Sequence, residues 1–208
     1  MIMKFIFSPP SSDDLIRLLK AWRFWLLGAI AGALIGAAVY YIAPPPYRAR
    51  AVVNVDFHLE QAWPQNTPSE QFYYLERETR KLEEIAMSDT VLNAVASQVG
   101  GVTVQQLRGR ELQLSQPGNG GWHFFADDSN AQKAEALASA WAQAFAQNVQ
   151  TQMTDPATSL EKYITAVPSQ TQHLTAQRSV SLSRYLLVGS IASLATSALI
   201  ILFFDIKK

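Results

Sequence analysis

The residue types that could support catalysis are few in this sequence, and their spacing does not predict a reaction site. Its three histidines, His58, His123 and His173, are not spaced as metal ligands on one helix would be. Cysteine is absent, which excludes thiolate nucleophiles, cysteine metal sites, disulfides and lipoprotein-type lipidation. The sequence also lacks a Gly-x-Ser-x-Gly nucleophile elbow and a Walker motif. We therefore expect a non-enzymatic protein without a catalytic residue, metal or cofactor.

Two acidic groups and one glycine-rich stretch have a structural interpretation. Residues 76–84 (ERETRKLEE) place opposite charges three and four residues apart, as on the solvated side of a helix. Asp127 and Asp128 precede a strong helical pattern, where carboxylates cap the first turn and favour the positive end of the helix dipole. Residues 117–121 (PGNGG) join two alternating segments, which predicts a hairpin turn and not a phosphate-binding loop.

The middle of the chain reads as a small α+β domain. Residues 49–57 predict a strand that directs Ala51, Val53, Val55 and Phe57 to one side. A helix should begin near Ser69, with an apolar stripe of Phe72, Leu75, Thr79, Leu82 and Ala86. A second helix should begin at Ser88 or Asp89 and end at Gly100–Gly101, followed by one or two helical turns capped by Thr103. A hairpin comes next, with Leu112 and Leu114 on its first strand and Trp122, Phe124 and Ala126 on its second. The last predicted elements are a closing strand over 161–167 and, before it, a helix over 130–152 whose inward residues are Ala134, Leu137, Ala138, Trp141, Phe145 and Val149. This order predicts a small sheet packed with helices.

Two uncharged runs of twenty residues flank this domain. As helices, each would extend roughly 30 Å, the thickness of a bilayer's hydrocarbon core. The basic residues Arg17, Lys20 and Arg23 precede the first run, and Lys207 and Lys208 follow the second, so the positive-inside rule predicts cytoplasmic termini. The predicted division is a cytoplasmic segment 1–23, a transmembrane helix 24–43, an extracytoplasmic α+β domain 44–184, a transmembrane helix 185–204 and a cytoplasmic tail 205–208. A cleaved signal peptide, the alternative for the first run, would have a shorter apolar region of roughly 7–15 residues.

Small residues recur at intervals of four in both runs. They are Gly28, Gly32 and Gly36 in the first, and Gly189, Ser193 and Ser197 in the second. Such a stripe allows close helix packing, either between the two spans or between neighbouring subunits. Pro44, Pro45 and Pro46 then end the first span and predict a rigid exit into the domain, followed by Tyr47 and Arg48.

Several segments in a fixed order carry a family resemblance. The exit reads PPYRARA (45–51), and it is followed by SDTVLNAVASQVGG (88–101), LRGRELQLS (107–115), the alanine-rich DSNAQKAEALASAWAQAFAQ (128–147) and a strand with a proline, 163–168. Over nearly the whole chain this combination resembles the Wzz-type polysaccharide co-polymerases, the chain-length determinant family. The resemblance implies a bacterial inner-membrane protein without enzymatic activity. It would form homo-oligomers beside the polysaccharide polymerase and set the length of an exported O-antigen, capsule or exopolysaccharide, with the glycan or its lipid-linked form as a further candidate ligand.

Two departures from the family narrow this expectation. Enterobacterial members carry a long coiled-coil extension where this chain has only residues 151–160, so it resembles the short members. Those members work beside a separate tyrosine kinase, which they contact through a cytoplasmic tail. Residues 205–208 are very short for such a tail.

The alternative is a two-span adaptor or scaffold of another membrane complex, such as a kinase-partner or sensor subunit. A net charge of zero and the absence of a recognition motif argue against nucleic acid as a partner.

Overall fold

The computed structural model describes residues 16, 19–62, 68–116, 121–154, 163–169 and 174–203. The chain divides into two compact units, with boundaries between Pro45 and Pro46 and between Ser179 and Val180. The described elements are α1 (Trp22–Ile42), β1 (Tyr47–Asp56), α2 (Leu59–Ala62), α3 (Pro68–Ala86), α4 (Asp89–Val99), α5 (Val104–Gln106), a π-helical segment (Leu107–Glu111), β2 (Leu112–Ser115), β3 (Gly121–Asp128), α6 (Ala131–Thr154), β4 (Thr165–Pro168), β5 (Leu174–Arg178) and α7 (Leu182–Phe203).

The first unit contains α1 and α7, the counterparts of the two predicted spans. Both helices are long and apolar enough to cross a membrane. Most of their large apolar side chains are exposed; among them are Leu27, Leu34, Ile35, Leu187, Val188 and Ile191. Helices with apolar residues on all sides are typical of surroundings other than water.

The second unit is an α+β domain, as the sequence predicts, built on a small open antiparallel sheet. Its strand order is β2-β3-β1-β4, and β5 also pairs with β1. Strand β1 is central, since its first half pairs with β5 and its second half with β4. The register between β1 and β3 places Ala51 opposite Phe124 and Val53 opposite Trp122.

The hydrophobic core lies between the sheet and helix α6. The predicted inward residues of α6 are confirmed, because all six are at most 1 % exposed. Aromatic side chains fill the interface: Phe124 meets Trp141 edge-to-face at 4.7 Å between ring centroids, and Trp122 stacks on Phe145 at 5.6 Å. The Trp141 indole Nε1–H donates a 2.8 Å hydrogen bond to the Ala86 carbonyl, which ties α6 to the end of α3.

Helix α3 begins within one residue of its predicted start, and its predicted buried stripe is confirmed only in the second half of the helix. There Leu82 and Ala86 are buried, as predicted. In the first half Phe72 is 62 % exposed, and the buried residues are Tyr74 and Glu78. The sequence predicts that Glu78 lies on the solvated side, but its side chain is buried, and its Oε1 accepts from Arg77 Nε at 2.7 Å and from Lys81 Nζ at 2.8 Å. These two cations supply the charge that a buried carboxylate requires. The buried face of the first half of α3 is therefore rotated from the predicted one.

Local capping signals mostly behave as predicted. Ser88 Oγ accepts from the Val91 N–H, and Thr103 forms a capping box with Gln106. Gly100 and Gly101 have φ values of 71° and 63°, the left-handed conformation that glycine adopts without a steric cost. The cap of α6 differs from the prediction, because the Asn130 side chain accepts from the Gln132 and Lys133 N–H groups.

The closing part of the sheet has two strands where the sequence predicts one. Of the predicted strand 161–167, the structure shows β4 at Thr165–Pro168, and β5 was not predicted. Several predicted features lie outside the described residues. They are most of the segment before α1, the hairpin turn at 117–120, residues 155–162, His173, and the tail 205–208 with the last residue of the second predicted span.

Candidate functional site

Helices α1 and α7 pack through their small residues. Gly28, Gly32 and Gly36 of α1 contact residues of α7 in the reverse order of the chain, namely Ser197, then Ser193 and Gly189, then Tyr185. The two helices are therefore antiparallel. A methyl group added to Gly32 would overlap the Gly189 carbonyl oxygen and come within 2.5 Å of Ser193 Cβ. Backbones approach this closely only where side chains are missing.

The same geometry extends to both ends of the stripe. A methyl group on Gly28 would overlap Ser197 Oγ, and one on Gly36 would overlap the Tyr185 carbonyl oxygen. Gly32 and Gly36 are buried although they belong to an otherwise exposed helix. The six small residues that the sequence singles out therefore meet within one chain.

Three further side chains of this helix pair, those of Ser190, Tyr40 and Tyr185, form contacts that the sequence does not predict. Ser190 Oγ donates a 3.2 Å hydrogen bond to the Ala29 carbonyl, which links the helices through a polar contact. The rings of Tyr40 and Tyr185 meet edge-to-face at 5.4 Å between centroids. The only sequence signals for them are a serine beside the glycine stripe and a tyrosine at the end of each apolar run.

The three prolines of the exit, Pro44 to Pro46, connect the end of α1 to the beginning of β1. Helix α1 ends at Ile42, after which Pro44 is exposed and Pro45 is buried. In the second unit, the exposed Pro46 accepts a 2.9 Å hydrogen bond from the Ser179 N–H through its carbonyl oxygen. Strand β1 starts at the next residue, Tyr47, whose ring lies 3.9 Å from the Arg178 guanidinium carbon. The first and last residues of the domain are thus joined directly.

Arg48, the last residue of the predicted exit motif, connects β1 to β3. Its Nε and Nη2 atoms donate hydrogen bonds of 2.7 and 2.6 Å to the two carboxylate oxygens of Asp127, a bidentate pair. The hydrogen bond to Asp127 raises the pKa of Arg48 above its ordinary value. Asp127 was predicted as a helix cap, and that prediction is wrong because its carboxylate is held by Arg48 across the sheet.

A groove of about 360 Å³ lies between the second half of α6 and strand β4. Three glutamines of α6, Gln143, Gln147 and Gln150, line one side, and Ile164 and Ala166 belong to the apolar part. This lining can donate and accept hydrogen bonds but carries no charge. The groove is therefore suited to contact a neutral polar partner and offers no general acid or base.

The described residues contain no group of three or more histidine or acidic side chains placed to hold a metal ion. The comparison of the sequence with models of protein families gives no match, and neither does the comparison with curated proteins.

Proposed function

We propose that this chain is a non-enzymatic membrane co-polymerase that regulates the length of an exported polysaccharide. In this proposal α1 and α7 anchor the protein in the bacterial inner membrane, and the α+β unit faces the extracytoplasmic side. Homo-oligomers of the chain stand beside the polymerase and limit how many repeat units it adds. The resemblance of the ordered sequence segments to the Wzz-type family motivates this assignment.

The observation that carries the proposal is the placement of an α+β unit between two apolar helices that pair with each other. Because Ser179 bonds to Pro46, the domain starts and ends at one point of its sheet. A domain with adjoining ends suits attachment to a pair of helices in one bilayer. The apolar side chains exposed on α1 and α7 suit contact with lipid, where burial removes them from water.

The glycine contacts between α1 and α7 support a rigid base for such an assembly. This helix pair has little freedom to slide, because the carbonyl oxygens of Gly189 and Tyr185 occupy the space opposite Gly32 and Gly36. A rigid base would give every subunit the same helix pair to present to its neighbours. A chain-length regulator that works as an oligomer requires such uniform subunits.

Deletion of the gene tests the function. The exported polysaccharide of the deletion strain, separated by gel electrophoresis, should lose its modal length and show a broad distribution. The wild-type gene should restore the modal length. The total amount of repeat units, measured by sugar analysis, should stay nearly constant, because the proposal assigns no synthetic step to this protein.

Two results would contradict the proposal. An unchanged length distribution would favour the alternative, a two-span adaptor or scaffold of another membrane complex. Loss of all polymer, with no change in the length of what remains, would indicate a role in synthesis or export. Covalent cross-linking of the protein in its native membrane adds a second test, since a protein that remains monomeric would exclude an oligomeric regulator.

A further inference from the structure

The face of the sheet opposite the core carries a group of polar and aromatic residues. The strand register places Arg50 of β1 opposite Phe125 of β3, which in turn lies opposite Gln113 of β2. The adjacent row contains His123 between Val52 and Ser115. These residues alternate with the buried Ala51 and Phe124, so they belong to the outer face.

Arg50 differs from Arg48, two residues before it, in having no counter-charge among the described residues. Arg48 is held by both oxygens of Asp127, whereas no carboxylate in the described part of the chain forms an ion pair with Arg50. The Arg50 Nε is also buried without a hydrogen-bond partner among the described residues. A buried donor on a charged group costs free energy unless a ligand or partner supplies an acceptor.

The charge of Arg50 also affects the pKa of His123. Burial lowers its pKa, and the positive charge of Arg50 lowers it further. The imidazole is therefore neutral at pH 7 and can both donate and accept a hydrogen bond. It contacts Phe125 edge-to-face at 5.9 Å, so a cation, a neutral polar ring and an aromatic ring lie side by side.

We propose that Arg50, His123, Phe125 and Gln113 form a binding site for a carboxylate-bearing sugar. The two terminal amino groups of the Arg50 guanidinium would bind the carboxylate, and the Phe125 ring would contact the apolar face of the sugar ring. His123 and the exposed Gln113 would bind hydroxyl groups. The proposal rests on the function proposed above and adds a ligand class, a uronic acid unit of the regulated polysaccharide.

The composition of the site favours this ligand over a phosphate. Phosphate sites generally combine several cations or a group of backbone N–H donors at a helix start. Here the described residues give the Arg50 guanidinium no carboxylate partner, and the second guanidinium beside Phe125, that of Arg48 at 5.7 Å from the ring centroid, is already neutralised by Asp127. A uronic acid fits these groups, because it has one negative charge for Arg50 and an otherwise neutral, partly apolar ring for His123, Gln113 and Phe125.

Binding can be measured with the full chain in nanodiscs of phosphatidylcholine. The probe is a hexamer of galacturonate, and maltohexaose is the neutral control of equal length. We expect the hexagalacturonate to bind and R50Q to weaken the affinity about tenfold or more, the usual effect of losing a hydrogen bond to a charged group. R80Q is the matched control, because Arg80 is an exposed arginine on α3 paired with Glu76, and it should leave binding unchanged.

The histidine signals provide a second readout that does not depend on affinity. The chain has three histidines, and the H123Q variant assigns the resonance of His123. A carboxylate on Arg50 should raise the pKa of His123 because it cancels the neighbouring positive charge. R50Q should raise the pKa of His123 even without ligand. R50K keeps the positive charge but lacks the guanidinium group, so it should leave the pKa of His123 low while it weakens binding.

Each remaining outcome overturns the proposal. Equal binding of maltohexaose would show a neutral site, and wild-type affinity in R50Q would place the ligand elsewhere. Binding of inorganic phosphate or of phosphatidylglycerol nanodiscs, without binding of hexagalacturonate, would identify a phosphate or a lipid headgroup as the ligand. The test is separate from the deletion experiment, because sugar binding by the purified protein does not depend on whether the deletion changes polymer length.

Discussion

Gly32 of α1 and Gly189 of α7 face each other backbone to backbone. A methyl group added to either residue would overlap the carbonyl oxygen of the other, so the contact is closed from both sides. The neighbouring Ser190 adds a hydrogen bond to the Ala29 carbonyl, close to this point. At this point of the antiparallel pair, therefore, neither helix has room for a side chain.

The first prediction concerns this contact. Replacing Gly32 with leucine should separate the helices, because overpacking of a closed interface typically costs about 1–3 kcal/mol. Since the chain has no cysteine, an A29C/S190C pair can report the distance by disulfide formation. We expect several-fold less intramolecular disulfide in G32L than in the parent, measured as protection from a thiol reagent.

Leucine at Ala31 is the matched control. Ala31 is on the same helix but exposed, so A31L should leave disulfide formation unchanged. Equal cross-linking in G32L and the parent would contradict the close contact of Gly32 with Gly189. Gel filtration in detergent, applied to the same variants, shows separately whether the glycines also control assembly between subunits.

The second prediction concerns Arg48 and Asp127, which connect β1 to β3. Because the pair is bidentate and partly buried, a double-mutant cycle of R48M and D127N should give a coupling free energy of about 1 kcal/mol. The measurement is urea unfolding of the full chain in detergent. Additive effects of the two substitutions would show that the pair contributes nothing to folding.

The parts of the fold that could be predicted are those determined by local pattern. In α6, apolar residues recur at one helical spacing from Ala134 to Val149, which leaves a single possible buried face. In α3, apolar and aromatic residues occupy several faces, so the sequence alone does not select one. The buried Glu78 depends on Arg77 and Lys81 beside it, and a charged residue within a predicted core is not anticipated from hydrophobicity.

The candidate sites show the same limit. The spacing of the glycines indicated a packing face but left open whether its partner was the second helix or another subunit. Arg50, His123 and Gln113 come from three strands whose register is set by the fold, so their proximity has no counterpart in the linear sequence. For the same reason Asp127, which looks like a helix cap locally, pairs with a residue 79 positions away.

The third prediction tests the orientation of α3. Leu82 is fully buried, so L82A should lower the free energy of unfolding by about 2–5 kcal/mol. Phe72 is 62 % exposed, so F72A should change it by no more than about 0.5 kcal/mol. Urea unfolding followed by tryptophan fluorescence measures both variants. A loss in F72A as large as the loss in L82A would instead support the buried face that the sequence predicts for the first half of α3.

The fourth prediction is a dependence of stability on pH through His123. Burial and the charge of Arg50 lower its pKa in the folded protein, whereas the unfolded chain has the ordinary value of about 6.5. As the pH falls through that value, the unfolded state binds more protons than the folded state, so stability decreases until the folded pKa is passed. The stability contribution is therefore complete above the unfolded pKa and is lost toward acid. Thermal unfolding from about pH 7.5 to 5 should show a shallower decline in H123Q than in the wild type, with R50Q between them because only burial then lowers the pKa. If the three proteins decline in parallel, His123 is not perturbed by Arg50, and the charge of Arg50 has no measurable effect on folding through His123.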